Sequence, residues 1–208
     1  MDESKVLLVV EDIPNILELL DLTLRFNGYE VMTARNGQEA LDVIETKRPA
    51  LIITDILMPK MDGFTLIYRL RTDQKTRDIP VVFLSATYVS AEDKAFATTL
   101  GATKFIEKPL DTKAFLLTIS ELLDQPPESS PLPLKETEFY EKYQNRLETK
   151  LQQKNSQIAR AERLLSTVPP NEKPGFEATL NHAINERQSI ELELDHLTQH
   201  LSRRGSKK

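Results

Sequence analysis

Leu51-Ile52-Ile53-Thr54-Asp55-Ile56-Leu57-Met58-Pro59-Lys60-Met61-Asp62-Gly63 is the stretch from which the rest of the chain is read. Its short apolar, partly β-branched run, bounded by turn residues, predicts a strand buried on both faces of a parallel sheet. Pro59 presets φ and the Asp62-Gly63 pair tolerates positive φ, so these residues are expected to close the following loop. Asp55 then stands at the carboxyl end of a buried strand, where open α/β sheets place their ligand sites. Taken alone, an aspartate here equally well starts a turn. The flanking sequence decides between the two.

Upstream, Lys5-Val6-Leu7-Leu8-Val9-Val10 is a continuous apolar strand that runs into Glu11-Asp12. Pro14 suits a helix start, where its missing N–H costs nothing. Ile16, Leu17, Leu19, Leu20 and Leu24 give that helix an apolar stripe, and Asn27-Gly28 supplies a left-handed cap. Tyr29 to Ala34 reads as a second strand, and Asn36-Gly37 leads into a helix carrying Ala40, Leu41, Val43 and Ile44. Downstream of Asp55, a helix with Phe64, Leu66, Ile67 and Leu70 precedes a strand from Ile79 to Ser85. Ala95 to Leu100 closes a helix at Gly101, Lys104-Phe105-Ile106 forms a short strand before Glu107-Lys108-Pro109, and Phe115 to Leu123 forms a last helix. Repeated β-α units imply a parallel α/β sheet with right-handed crossovers and helices on both faces.

All strand C-termini then open on one edge, which collects Glu11 and Asp12, Asp55, Ser85 and Lys108. Three carboxylates raise one another's pKa unless positive charge intervenes. Lys108 offsets one of them, and a hard divalent cation with oxygen ligands, Mg²⁺ foremost, suits the others.

The 208 residues are 28% charged and 39% hydrophobic, as one or two globular pieces would be. Cysteine is absent, which excludes disulfides and thiolate metal sites. No leader and no membrane-length apolar run are evident, so a cytoplasmic protein is expected. Residues 1–124 carry 14 Lys/Arg against 20 Asp/Glu, and residues 125–208 carry 13 against 12. The acidic first part argues against a broad phosphate-neutralising surface for nucleic acid.

Glu11-Asp12, Asp55 with Met58-Pro59 and Asp62-Gly63, Ser85-Ala86, and Gly101-Ala102 leading to Lys108-Pro109 together resemble the receiver domain of two-component response regulators. The likeness covers residues 4–124. It implies a flavodoxin-like, doubly wound five-stranded sheet of order 2-1-3-4-5. It also implies that Asp55 accepts a phosphoryl group from a sensor histidine kinase or phosphotransfer protein. On that footing Asp55 is the nucleophile, while Glu11, Asp12, Asp55 and the Leu57 carbonyl would hold Mg²⁺. Lys108 and the Ser85 hydroxyl would meet phosphoryl oxygens. Lys108-Pro109 is expected to be a cis peptide by the same resemblance, and Phe105 occupies the place of a switch aromatic that turns inward with Ser85. Ser85 stands where Thr is commoner and Phe105 where Tyr is commoner. Leu57 and Thr87 sit where the family tunes attack by water; an apolar Leu57 cannot orient that water, so slow dephosphorylation is expected.

Gln125 to Pro133 holds four prolines in nine residues, a composition that resists helix and marks residues 125–134 as a linker. From residue 135 to 203 an antiparallel coiled-coil hairpin is expected. One stripe runs from Tyr143 through Leu147, Leu151, a polar Lys154 and Ile158 to Val168; the other runs from Phe176 through Arg187 to Leu201. Folding back at Asn171 pairs Leu165 with Leu180, Ala161 with Ala183, Ile158 with Arg187, Leu151 with Leu194 and Tyr143 with Leu201. Off the seam, Phe139, Leu164, Ile184 and Leu192 would suit a second hairpin, hence a homodimer. His182 beside Glu186 and the His196/His200 pair lack the context of a phosphotransfer or Zn²⁺ site. Residues 204–208 form a basic tail.

The expected function is a response regulator that signals through dimerisation or protein contacts of its hairpin, catalysing only its own phosphotransfer and slow dephosphorylation. A DNA-binding transcriptional regulator is the alternative, against which stands the absence of a short basic recognition helix. An output enzyme lacks any Gly-rich phosphate loop or ligand cluster after residue 125.

Overall fold

The computed structural model describes residues 5–85, 91–125, 133–167, 169 and 173–205. Two compact units divide at Leu134/Lys135.

In the first unit, strands β1 (Val6–Val10), β2 (Glu30–Ala34), β3 (Leu51–Asp55), β4 (Val81–Ser85) and β5 (Lys104–Glu107) alternate with helices α1 (Pro14–Phe26), α2 (Gly37–Thr46), α3 (Gly63–Thr72), α4 (Ala91–Thr99) and α5 (Thr112–Asp124). The sheet is parallel with order β2-β1-β3-β4-β5. Strands β1, β3 and β4 are covered on both faces, which is why their sequences are continuous apolar runs rather than alternating ones. On one face, Leu7, Val9, Leu51 and Ile53 pack with Leu20 and Leu24 of α1 and Phe115 and Ile119 of α5. On the other, Phe64 of α3 lies between Phe83 of β4 and Phe96 of α4, with ring centroids 5.3 and 5.1 Å apart.

Three boundaries differ from expectation for identifiable reasons. Strand β4 begins at Val81 rather than Ile79, because Pro80 has no N–H to give the ladder. Helix α4 starts at Ala91, four residues before the apolar pattern becomes visible. Leu19 does not face the core: it is 64% exposed and forms, with Leu22 and Phe26, a second apolar stripe on the outer side of α1. A run of leucines therefore concealed two faces. The cap expected at Asn27-Gly28 is present, with Gly28 at φ +88° and its N–H on the Arg25 carbonyl.

Arg71 carried no signal in the sequence. Its guanidinium is buried and donates to the carbonyls of Ile79 (3.0 Å) and Gly101 (2.7 Å), tying α3 to the loops that enter β4 and β5. Burial without a carboxylate partner lowers its pKa to about 10.

The second unit is a hairpin of α6 (Glu136–Thr167) and α7 (Lys173–Gly205), the latter running two residues beyond the expected end of the hairpin. Its register corrects the sequence-based pairing. Lys154 bonds to Glu186 at 2.8 Å, where the expected register set it against Ile190, and the Tyr143 hydroxyl donates to Glu193, two turns short of Leu201. The helices are slid by one step of the seam, which brings Ile158 opposite Ala183, both buried. Apolar periodicity matches both registers; the polar pairs select one of them. Phe139 is fully buried rather than available to a partner, whereas Leu164 and Leu192 are exposed. Among the described residues no helix is long and apolar enough to cross a membrane.

Candidate functional site

The strand register builds the site. Val10 lies beside Thr54 and Leu84 beside Asp55, so the residues that follow β1 and those that end β3 and β4 meet at one edge. Ser85 is level with Glu107 of β5, and its carbonyl accepts from the Lys108 N–H at 2.7 Å, which fixes where β5 delivers the lysine.

Lys108 Nζ lies 2.7 Å from Glu11 Oε2 and 2.8 Å from Asp55 Oδ2, so one ammonium bridges two carboxylates. Glu11 is fully buried, and its other oxygen accepts from the Ile13 N–H at 3.2 Å. Asp55 Oδ1 accepts from the Ile56 N–H at 2.6 Å, while the carboxylate keeps a 14% opening to solvent. Burial pushes the Glu11 carboxyl above its ordinary pKa; the hydrogen bond from Lys108 opposes this and the Asp55 charge adds to it. Burial also works against the Lys108 charge, but the bonds to Asp55 and Glu11 outweigh it and raise the lysine pKa. The lysine therefore stays charged at neutral pH.

Carboxylate oxygens of Glu11, Asp12 and Asp55 all lie within 4.8 Å of one another. Three hard oxygen donors converging beside one lysine, with net negative charge left over, suit a divalent cation of the Mg²⁺ type. The donor set fits.

The loop after Asp55 is held by close backbone approach. A Cβ at Gly63 would stand 2.4 Å from the Asp55 carbonyl oxygen and 2.7 Å from the Phe83 ring. The sequence reading assigned this glycine to a positive φ. The left-handed residue is instead Lys60, at φ +65°, and Gly63 is required for space at the first position of α3. Asp62 caps α3 through the Thr65 N–H at 2.8 Å. The Gly37 N–H donates to the Met61 carbonyl at 2.9 Å, and a Cβ there would crowd Met61 at 2.7 Å, so the same loop is pinned to the start of α2.

The remaining expected positions lie as follows. Ser85 is buried at the end of β4, and the Lys108-Pro109 peptide is cis. Phe105 is half-buried, 6.2 Å from the Phe83 ring and 6.0 Å from Lys94 Nζ. Leu57 is 55% exposed beside the carboxylates. Thr87 lies outside the described residues, as do the side chains of His196 and His200. His182 is an exposed helical residue 3.7 Å from Glu186, far in sequence from the acidic site. Sequence reasoning missed the steric role of Gly37, for which the Asn36-Gly37 pair at a helix start is only a weak signal.

Residues 7–120 match the response regulator receiver domain family. The chain is 36% identical over 117 residues to the DNA-binding dual master transcriptional regulator RpaA of Synechocystis sp., covering 56% of this chain and 48% of that one. It is 38% identical over 120 residues to the probable transcriptional regulator ycf27 of Cyanophora paradoxa, covering 58% and 48%. The chain thus matches about half the length of these curated relatives. Among solved structures, the receiver domain of a signal transduction histidine kinase from Syntrophus aciditrophicus aligns with TM-score 0.55 at 34% identity, covering 62% of this chain and 98% of that one. The chemotaxis protein CheY4 of Vibrio cholerae aligns with TM-score 0.53 at 34% identity, covering 56% and 96%.

Proposed function

The chain belongs to the response regulator receiver family through its first unit, and from that membership we propose that Asp55 accepts a phosphoryl group from the phosphohistidine of a sensor kinase or phosphotransfer protein. The observation that carries this reading is the bridge of Lys108 between Asp55 and the buried Glu11. It keeps Asp55 in place beside a fixed positive charge while leaving the carboxylate open to solvent on one side. An Asp55 oxygen attacks phosphorus as the imidazole N–P bond breaks, and the electron pair leaves with the imidazole. Lys108 is placed to exchange Asp55 for a phosphoryl oxygen, and the Ser85 hydroxyl to donate to another. Glu11, Asp12, Asp55 and the Leu57 carbonyl would hold Mg²⁺, which when bound supplies positive charge for the transferring oxygens. Ser85 and Phe105 would carry the change to the α4-β5-α5 surface.

Catalysis is confined to this transfer and to slow hydrolysis of the aspartyl-phosphate, since the exposed Leu57 offers no polar atom from its side chain to orient water. The output is a homodimer or protein contact made by the hairpin, whose outer face presents Leu164 and Leu192. A cytoplasmic setting suits exchange with a kinase. DNA binding is the second reading, since RpaA is named as a DNA-binding regulator. Its likeness to this chain spans 117 residues, and the matched family ends at residue 120, ahead of the hairpin.

The test is intact-mass analysis after incubation with phosphoramidate and Mg²⁺. The parent should gain one phosphoryl group and Asp55→Asn none; an equal gain in both would remove Asp55 from the role. Light scattering with and without beryllofluoride then reads whether the hairpin dimerises, and a gel shift that strengthens on phosphorylation would favour DNA binding.

A further inference from the structure

The hairpin seam repeats in steps of three and four residues, so moving α7 along α6 by one step returns apolar side chains to apolar partners. In the observed register Leu151 is level with Ile190 and Ile158 with Ala183. After a slide of about one helical turn, about 5 Å, Leu151 is level with Leu194 and Ala161 with Ala183. Hydrophobic matching hardly separates the two arrangements.

Charge separates them. The observed register sets Lys154 and Arg187 in one layer of the seam. Glu186 neutralises that layer: its Oε2 lies 2.8 Å from Lys154 Nζ and 3.7 Å from His182 Nε2. The buried Arg187 Nε reaches only to 3.6 Å from Glu191 Oε1 and makes no hydrogen bond. Tyr143 to Glu193 is the second cross-helix bond. A one-step slide breaks both bonds but parts the two cations, setting Lys154 against Ile190 and Arg187 against Ile158.

We infer that the hairpin is a two-register element, one seam step apart, latched in the observed register by Glu186 and Glu193. The slide carries the exposed Leu192 one turn along α6, so the outer face differs between registers. A one-turn ratchet of packed helices is a known form of switching element. The inference stands on the hairpin alone and does not depend on the phosphoryl chemistry of Asp55.

The chain has no cysteine, so paired engineered thiols report register directly. Leu151→Cys/Ile190→Cys suits the observed register and Leu151→Cys/Leu194→Cys the slid one, because a disulfide needs Cα atoms within about 7 Å. Full-length protein is oxidised briefly and the intramolecular product read on a denaturing gel. With the latches intact, the Ile190 pair should close and the Leu194 pair remain mostly open. Adding Glu186→Gln with Tyr143→Phe should raise closure of the Leu194 pair several-fold and lower that of the Ile190 pair. Helical ellipticity is measured on the same variants. Closure of the Ile190 pair alone in both backgrounds overturns the inference, as does loss of both cross-links together with the helical signal, or a product that is only intermolecular.

Discussion

Replacing Lys108 with methionine keeps a long apolar stem and removes only the ammonium. In the parent that ammonium bonds to Glu11 at 2.7 Å and Asp55 at 2.8 Å, with exposures of 16% for the lysine, 14% for Asp55 and none for Glu11. Removing one partner of a buried ion pair costs roughly 3–5 kcal/mol, and the partial openness of Asp55 puts the expected loss near the low end, about 3 kcal/mol. The pH dependence has a definite sign. Burial already holds the Glu11 carboxyl above its ordinary value, and without the lysine that upward shift grows. An acid whose folded pKa is raised destabilises the protein once ionised. The penalty is absent below the ordinary value of 4.5, develops as pH rises through it, and is complete above the folded pKa. The deficit of Lys108→Met against the parent should therefore be greatest at neutral pH and shrink on acidification toward 4.5. Urea unfolding followed by circular dichroism, in chelator, measures it. Millimolar Mg²⁺ should restore part of the loss, because a ligand that binds only the folded state stabilises it. A neutral-pH deficit below about 1 kcal/mol, the worth of an exposed pair, or one that widens on acidification, would refute the reasoning.

Gly63→Ala should destabilise by about 1–3 kcal/mol by overpacking, since its Cβ meets the Asp55 carbonyl at 2.4 Å and must displace backbone; it should also slow Asp55 phosphorylation, read as the rate of mass gain from phosphoramidate. Lys60→Gly should stabilise by about 1 kcal/mol, because φ is +65° there and the ion pair to Glu39, at 3.8 Å and largely exposed, contributes little; a lower melting temperature would count against it. Arg71→Met should cost about 2–4 kcal/mol in urea unfolding, as it leaves the Ile79 and Gly101 carbonyls without their donor in a buried place. That loss should not change between pH 6 and pH 8, because a guanidinium of pKa about 10 is charged throughout.

The sheet and its acidic edge were legible because each strand is a run of buried apolar residues that ends in the group it delivers. Val10 leads to Glu11 and Thr54 to Asp55, so the parallel register alone sets the carboxylates side by side. What the sequence concealed depends on space rather than on pattern. Gly63 looks like a turn glycine in one dimension, and only the nearness of the Asp55 carbonyl and the Phe83 ring makes it a steric requirement. Arg71 lies within an apolar stripe, and nothing local announces that two distant carbonyls will receive its donors.

The hairpin carries the same lesson at longer range. A seven-residue repeat specifies which stripe of each helix faces inward, and the burial of Leu147, Ile158, Ala183 and Leu197 follows it. It does not specify the axial offset, because a seam displaced by one step is still a seam. The offset comes from side chains that depart from the pattern: Lys154 with Glu186 and Tyr143 with Glu193. A partly buried ammonium stabilises the register in which a carboxylate is within reach and opposes every other, so a few polar atoms decide what many methyl groups leave undecided. The receiver edge works likewise, with Lys108 setting where two carboxylates sit. In both units the apolar residues make the scaffold, and a single lysine sets the geometry on which function depends.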